Sequence, residues 1–137
     1  MNLDEAEIKG LLSKIAPSKD LIEKELKETE YDIKSAEESL NKEDYKWCIV
    51  KSYYAIFHCI RALMFKHGYK DRKHAGVVIF LEELEKQGII DSSIVNDYRA
   101  ALSARESADY RYTYSRDIAK NILQISKEVI SKIRKLV

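Results

Sequence analysis

An arginine interrupts an apolar stripe in the last third of the chain. Ile94, Tyr98, Ala101, Arg105, Ala108 and Tyr112 recur at spacings of 4, 3, 4, 3 and 4 residues, which is one face of a helix. A guanidinium on such a face is costly to bury unless it is paired or opens onto a wet cleft. Two readings follow. Asp109, four residues on, is placed to pair with Arg105, as a buried or interfacial ion pair. Alternatively, Arg105 faces an anion such as a phosphate. The segment that follows, Asp109-Tyr-Arg-Tyr-Thr-Tyr-Ser115, gathers Tyr110, Tyr112 and Tyr114 around Arg111 where the helix should end. Rings beside cations suit stacking on nucleobases. Ordinary packing of the tyrosines between two helices is the alternative.

A second cationic face lies in the middle of the chain. With Lys46 at zero and 100° per residue, Lys51, His58 and Arg61 fall within one arc of about 140°. His58 and Arg61 are three residues apart, a pair suited to phosphate or to a polar seam of a dimer. A satisfied core histidine is the alternative for His58, and a loop or capping role is the alternative for His74. Charge is segregated along the chain: residues 1–46 carry net −5, residues 47–81 net +5 with all three histidines, and residues 82–137 net +1. The basic segment either meets phosphate or an acidic partner, or faces the acidic first third inside the fold. The whole chain is only +1, so it carries no global polyelectrolyte signature for nucleic acid.

Common signatures are missing. There is no HExxH, P-loop, Gly-rich phosphate loop, GxSxG or paired-carboxylate motif. No metal and no cofactor is expected. Cys48 and Cys59, eleven residues apart on one helix, cannot bridge each other, and no CxxC pair is present. That usage suits a reducing cytoplasm. The N-terminus has no apolar signal region. The apolar stretch 45–65 has five polar interruptions, so it reads as a core helix and not as a membrane span.

The elements that must position these residues are helices. The chain has only four Gly and one Pro, too few for the turns of a sandwich or barrel. A short first helix is expected over 3–15, before Pro17. Ser18 caps a second, running to about Leu40, with the apolar stripe Ile22, Leu26, Thr29, Ile33, Ala36 and Leu40. Asn41 and Asp44 resemble a cap for a third, about 43–67, closed by Gly68. In it, 16 of the 21 residues from Tyr45 to Phe65 are apolar, so it is buried on most of its circumference. Residues 69–73 read as a charged loop. A fourth helix spans about 74–87 and ends at Gly88, a fifth spans about 92–110 behind Asp91, and a sixth spans about 116–136 behind Ser115. The expected fold is a single all-α domain over 1–137. It is an antiparallel up-and-down bundle of four to five main helices plus a short N-terminal one.

Three segments carry a resemblance. Lys51-Ser-Tyr-Tyr-Ala-Ile-Phe-His58-Cys-Ile-Arg61-Ala-Leu resembles the S-x-YYA-x-FH-x-x-RAL pattern of HEPN domains. Lys73-His74-Ala-Gly-Val and Ala104-Arg105-Glu-Ser-Ala-Asp109-Tyr110 are similar to two further signatures of one branch of that family. The resemblance spans roughly residues 20–135. It implies an all-α bundle, commonly a homodimer, tied to RNA or nucleotides and to toxin–antitoxin or defence systems. It also implies a minimal nucleotidyltransferase as partner. Active HEPN ribonucleases use an Arg followed, after four to six residues, by a His and often x-Tyr, and cut RNA without metal. By resemblance, Arg105 matches the Arg and Tyr112 the trailing Tyr, which in some relatives is nucleotidylated. Tyr110 stands at the His position, and a phenol is a poor proton acceptor at neutral pH. Arg105 and Tyr110 would form a degenerate catalytic pair. Arg105, Arg111, Tyr112, His58 and Arg61 would contact nucleotide or RNA. Arg61 and His67 also meet the spacing, but on the wrong helix, as a chance match. Three functions remain open: a nucleotide- or RNA-associated partner with weak or absent catalysis, a metal-independent endoribonuclease, and a non-catalytic dimeric interaction module.

Overall fold

The computed structural model describes all 137 residues, Met1–Val137. The elements run α1 (Leu3–Ile8), β1 (Leu12–Lys14), α2 (Lys19–Asn41), α3 (Tyr45–Lys66), β2 (Tyr69–Asp71), α4 (His74–Lys86), α5 (Ser92–Tyr110) and α6 (Arg116–Arg134). The long helices start where short polar side chains satisfy a free backbone N–H. Ser18 accepts from Leu21 N at 3.3 Å, Asp44 from Trp47 N at 3.4 Å, Asp91 from Ser93 N at 2.9 Å and Ser115 from Ile118 N at 3.2 Å. These are the caps the sequence predicts, and the borders of α2 to α6 fall within about two residues of expectation.

Side-chain pairing gives the topology. Glu25 meets His58 and Ser39 meets Lys51, so α2 and α3 run antiparallel. Glu30 pairs with Arg134 and Glu37 with Lys127, so α2 and α6 are also antiparallel. Cys48 Sγ approaches Ala119 O at 3.8 Å and Cys59 Sγ approaches Ile130 O at 4.0 Å, in step, so α3 and α6 are parallel. Lys132 reaches back to Ser93 across the α5–α6 hairpin. The result is the expected up-and-down bundle of α2, α3, α5 and α6, with α4 packed on α5 near one end.

The third helix is the centre. Thirteen residues of α3 are buried, including Ile49, Tyr53, Ile56, Ile60 and Leu63. It is the one helix long and apolar enough to cross a membrane, and here it forms the core beneath the other helices. Burial raises both of its thiols above the usual cysteine range, Cys59 to about 12, which leaves them unreactive.

The N-terminal segment departs from expectation. The helix expected over 3–15 stops at Ile8. Gly10 adopts φ +72°, Gly10 N donates to Glu7 O at 3.0 Å and Leu11 N to Ala6 O at 2.9 Å, a left-handed helix end. The chain then extends as β1 and pairs antiparallel with β2, with Leu12 opposite Asp71 and Lys14 opposite Tyr69. Residues 69–71 are therefore a strand and not part of a charged loop. Strands of three residues have no readable periodicity, and this pairing joins segments far apart in sequence.

This ribbon lies against the first turn of α4. Arg72 N and Lys73 N both donate to Leu11 O, at 3.0 and 3.3 Å, and Leu12 is buried. A Cβ at Gly76 would stand 2.3 Å from Leu11 O and 3.0 Å from Leu12 Cδ2, so only glycine lets the two backbones meet. Gly76→Ala is expected to destabilise the fold by about 1–3 kcal/mol, the cost of overpacking a site with no room to relax. Urea denaturation measures it, and an unchanged midpoint would contradict the close crossing.

Candidate functional site

Arg105 lies where the helical register places it, on the α5 face that also carries buried Tyr98, Ala101 and Ala108. Its side chain is 17% exposed. Nε donates to Asp109 Oδ2 at 3.1 Å, so the ion pair lies within its own helix. Nη2 donates to Tyr54 Oη at 3.1 Å. The guanidinium carbon stands 5.5 Å from the Tyr53 ring centre, 5.4 Å from Tyr54 and 5.9 Å from Tyr110. Nη1 has no hydrogen-bond partner in the chain. The fork is thus held by a carboxylate, a phenol and three ring faces, with one donor edge left over.

Around it the tyrosines diverge. Tyr53 is fully buried, and its hydroxyl lies 2.8 Å from His74 Nε2 and 3.4 Å from Tyr98 Oη. Burial pushes the Tyr53 phenol well above the ordinary tyrosine range, with the neighbouring Tyr98 hydroxyl adding to the rise, so it stays protonated. Tyr110, Tyr112 and Tyr114 are exposed, at 70%, 78% and 45%. Ordinary packing between two helices therefore does not describe them. Arg111 is exposed too, its Nη1 donating to Ser107 Oγ at 3.4 Å. Tyr112 takes φ +52°, a left-handed conformation usually left to Gly or Asn, and Thr113 N closes the turn on Ser107 O at 2.9 Å. The one long-helix junction with positive φ on an aromatic residue is the tyrosine cluster itself.

Basic residues of α3 meet acidic ones of α2. His58 Nδ1 lies 2.6 Å from Glu25 Oε2 and Nε2 lies 3.5 Å from Asp32 Oδ2. Arg61 reaches Glu25 at 3.5 Å and Asp71 at 3.2 Å, the latter an ion pair without hydrogen-bond alignment. Lys51 Nζ donates to Ser39 Oγ at 2.8 Å, and Lys46 stands over Trp47 at the surface. Of the two readings of the basic segment, the one that faces it toward the acidic first third describes His58 and Arg61. Both remain linked to the Arg105 cluster by a row of rings. Arg61 stands 5.5 Å from Phe57, whose ring stacks 6.2 Å from Tyr53 and 6.0 Å from His74. Donor atoms of Glu28, Asp32 and His58 lie within 4.8 Å of one another, the only group in the chain spaced as metal ligands would be. Both His58 nitrogens already face carboxylates, which makes the arrangement a charge clamp.

The structure thus brings Arg105 and Tyr110 together and leaves Tyr112 and Arg111 beside them on the surface. It sets His58 and Arg61 at the far end of the ring row. Sequence spacing missed Tyr53, Tyr54 and Phe57 as the floor of the site, and His74 as its neighbour. Their signal was present in the three quoted segments, all of which meet here: Tyr53 and Tyr54 from the first, His74 from the second, Arg105 and Asp109 from the third. None of the four surface cavities includes Arg105, so the cluster is an open face.

An up-and-down bundle whose YYA-x-FH helix supports an arginine of an R-x-x-ADY helix defines a class of protein. The chain belongs to the HEPN domain family, which it matches over residues 22–136. It is 29% identical over 93 residues to a Methanocaldococcus jannaschii protein named "Putative toxin MJ0142", a match covering 67% of this chain and 63% of that protein. An Archaeoglobus fulgidus "UPF0332 protein" is 23% identical over 86% of this chain and 96% of its own length. The crystal structure of TT1696 from Thermus thermophilus superposes with a TM-score of 0.73 at 15% identity, covering 85% of this chain and 98% of that one. It supports the fold alone.

The His58 clamp gives a pH signature. Its hydrogen bond to Glu25 raises His58 above the ordinary 6.5; burial opposes this, and the charges of Glu25, Asp32 and Glu28 add to the rise. Asp32 is itself pushed up, since burial together with Glu28 outweighs the attraction of His58, which makes Glu25 the main counter-charge. A histidine raised on folding contributes stability that is fully present below its unfolded pKa and fades as pH climbs through the folded one. Melting temperatures of wild type and His58→Gln should therefore differ most below about pH 6.5 and converge above it. A difference that widens with rising pH would contradict the clamp.

Proposed function

We propose that the protein is a nucleotide- or RNA-associated HEPN protein of the toxin–antitoxin or defence type. In this reading it works in the cytoplasm as a homodimer beside a minimal nucleotidyltransferase, with weak or absent catalysis of its own. The observation that carries the proposal is the unfilled donor edge of Arg105, held by Asp109 and Tyr54 and bordered by the exposed Tyr110. A fixed guanidinium with one free edge suits a phosphate oxygen, and an exposed ring beside it suits a base. Arg111 and Tyr112 extend that surface, and the toxin name of one relative agrees with it. The open face favours a second copy of the chain as its cover. Tyr112, exposed on a left-handed turn, is accessible to nucleotidylation by a partner enzyme. Tyr110 in the imidazole position of the family motif accounts for weak catalysis.

The reading of Arg105 as a purely structural dimer ion pair draws less support, because its carboxylate partner is in its own helix. Fluorescence anisotropy with a labelled single-stranded RNA, and with ATP as competitor, tests the proposal. Losing a charge-assisted contact should weaken binding by Arg105→Ala at least about 10-fold. Equal binding by both proteins would remove the role given to Arg105.

A further inference from the structure

Arg61 has more donors than partners, and it lines a cavity. Its guanidinium carbon stands 5.5 Å from the Phe57 ring centre and 5.4 Å from Phe65, one turn before and one turn after it on α3. Nη1 lies 3.5 Å from Glu25 Oε1 and Nε lies 3.2 Å from Asp71 Oδ1. Neither ion pair has hydrogen-bond alignment, and the covered Nε and Asp71 Oδ1 stay without a hydrogen-bond partner. Nη2 meets no acceptor of the chain. Glu25 is not free to turn fully toward Arg61, because its Oε2 lies 2.6 Å from His58 Nδ1. Two ring faces and two carboxylates thus hold the guanidinium in place and leave its N–H groups unused.

The cavity measures about 260 Å³ and is walled by four separate parts of the chain. The connector after β1 gives Ile15, the first turns of α2 give Leu21 and Lys24, α3 gives Arg61 and Phe65, and β2 gives Lys70. Ile15 N donates to Gly68 O at 2.9 Å, which ties the connector to the turn that enters β2. Phe65 is buried, Ile15 is half-buried and Leu21 is partly open. The lining therefore combines apolar side chains with three cations. Lys24 and Lys70 are exposed and have no ion-pair partner in the chain. Glu25, the one acid of the lining, is already shared between His58 and Arg61.

We infer that this cavity binds a small monocarboxylate with an apolar body. The carboxylate lies on the Nη edge of Arg61, and the body lies against Phe65, Ile15 and Leu21. A guanidinium edge matches the two oxygens of a carboxylate. Lys24 and Lys70 supply the positive field that draws an anion to the mouth. Inorganic phosphate would leave the apolar wall uncovered. The volume falls at the small end of ligand pockets, which suits a ligand smaller than a nucleotide. The site is separate from the Arg105 face: the Phe57 and Tyr53 rings stand between the two arginines, and the cavity shares no residue with that face. Binding here is therefore independent of the RNA or nucleotide role proposed for Arg105.

The probe is phenylacetate, titrated into the isotope-labelled full chain and followed by NMR. Saturable shifts should centre on the amides of Ile15, Leu21, Phe65 and Lys70 and on the side chain of Arg61. Phenylacetamide, the same body without the charge, should bind at least about 10-fold more weakly. Arg61→Lys, which keeps the charge and loses the fork, should weaken phenylacetate binding at least about 10-fold as well. If Arg61→Lys does not fold, the exposed pair Lys24→Gln and Lys70→Gln carries the test; the double variant should melt as wild type does and bind about 3-fold more weakly. Arg105→Ala should bind phenylacetate as wild type does, so the failure of either site leaves the other standing. Equal binding of acid and amide, or an affinity that ignores the Arg61 and lysine changes, would overturn the assignment. So would shifts that never saturate or that gather elsewhere on the chain.

Discussion

Burying α3 around most of its circumference turns Tyr53, Tyr54, His58 and Arg61 toward partners on neighbouring elements, while the buried Ser52 hydroxyl finds none. An unpaired charge there would cost several kcal/mol, more than most single contacts in the bundle return. The acidic α2 therefore lies where His58 and Arg61 emerge, with Glu25 serving both. The hydroxyl of Tyr53 turns toward α4 and α5, and that of Tyr54 toward Arg105. The placement of α2, α4 and α5 around the core thus follows from polar demands of one helix as much as from apolar burial.

The same constraint shapes the site. A guanidinium facing an apolar stripe is tolerated because α3 offers aromatic faces and a phenol in place of water. Those partners use two edges of Arg105 and leave the third. The rings Tyr53, Tyr54 and Phe57 then act as a rigid floor from Arg105 to Arg61, since each is held by the packing of the core beneath. A floor fixed by the core suits recognition better than side chains on a mobile loop.

Most of the fold was legible because its signals are local. Ser18, Asp44, Asp91 and Ser115 cap helices in the sequence and in the structure, and the apolar stripe of α2 turns inward as spaced. What stayed hidden was non-local. The pairing of Leu12–Lys14 with Tyr69–Asp71 has no periodic trace, and the helix expected over 3–15 failed at Gly10, whose left-handed turn competes with helix continuation. At the site, register alone exposed Arg105 as an anomaly. It gave no means to see that Tyr54, fifty-one residues earlier, accepts its hydrogen bond. Charge segregation left open whether the middle third meets the acidic first third or an outside anion, and it gave no sign of which carboxylate would meet which base.

The crossing at Gly76 has an architectural consequence. The family match begins at residue 22, so α1 and β1 lie outside the shared domain, yet Leu12 and Ala6 are buried in its core. β1 abuts the first turn of α4, and that turn carries His74. The matched bundle and the residues before it therefore share one core, and the start of α4 is held by backbone hydrogen bonds to Leu11 and by the close crossing at Gly76.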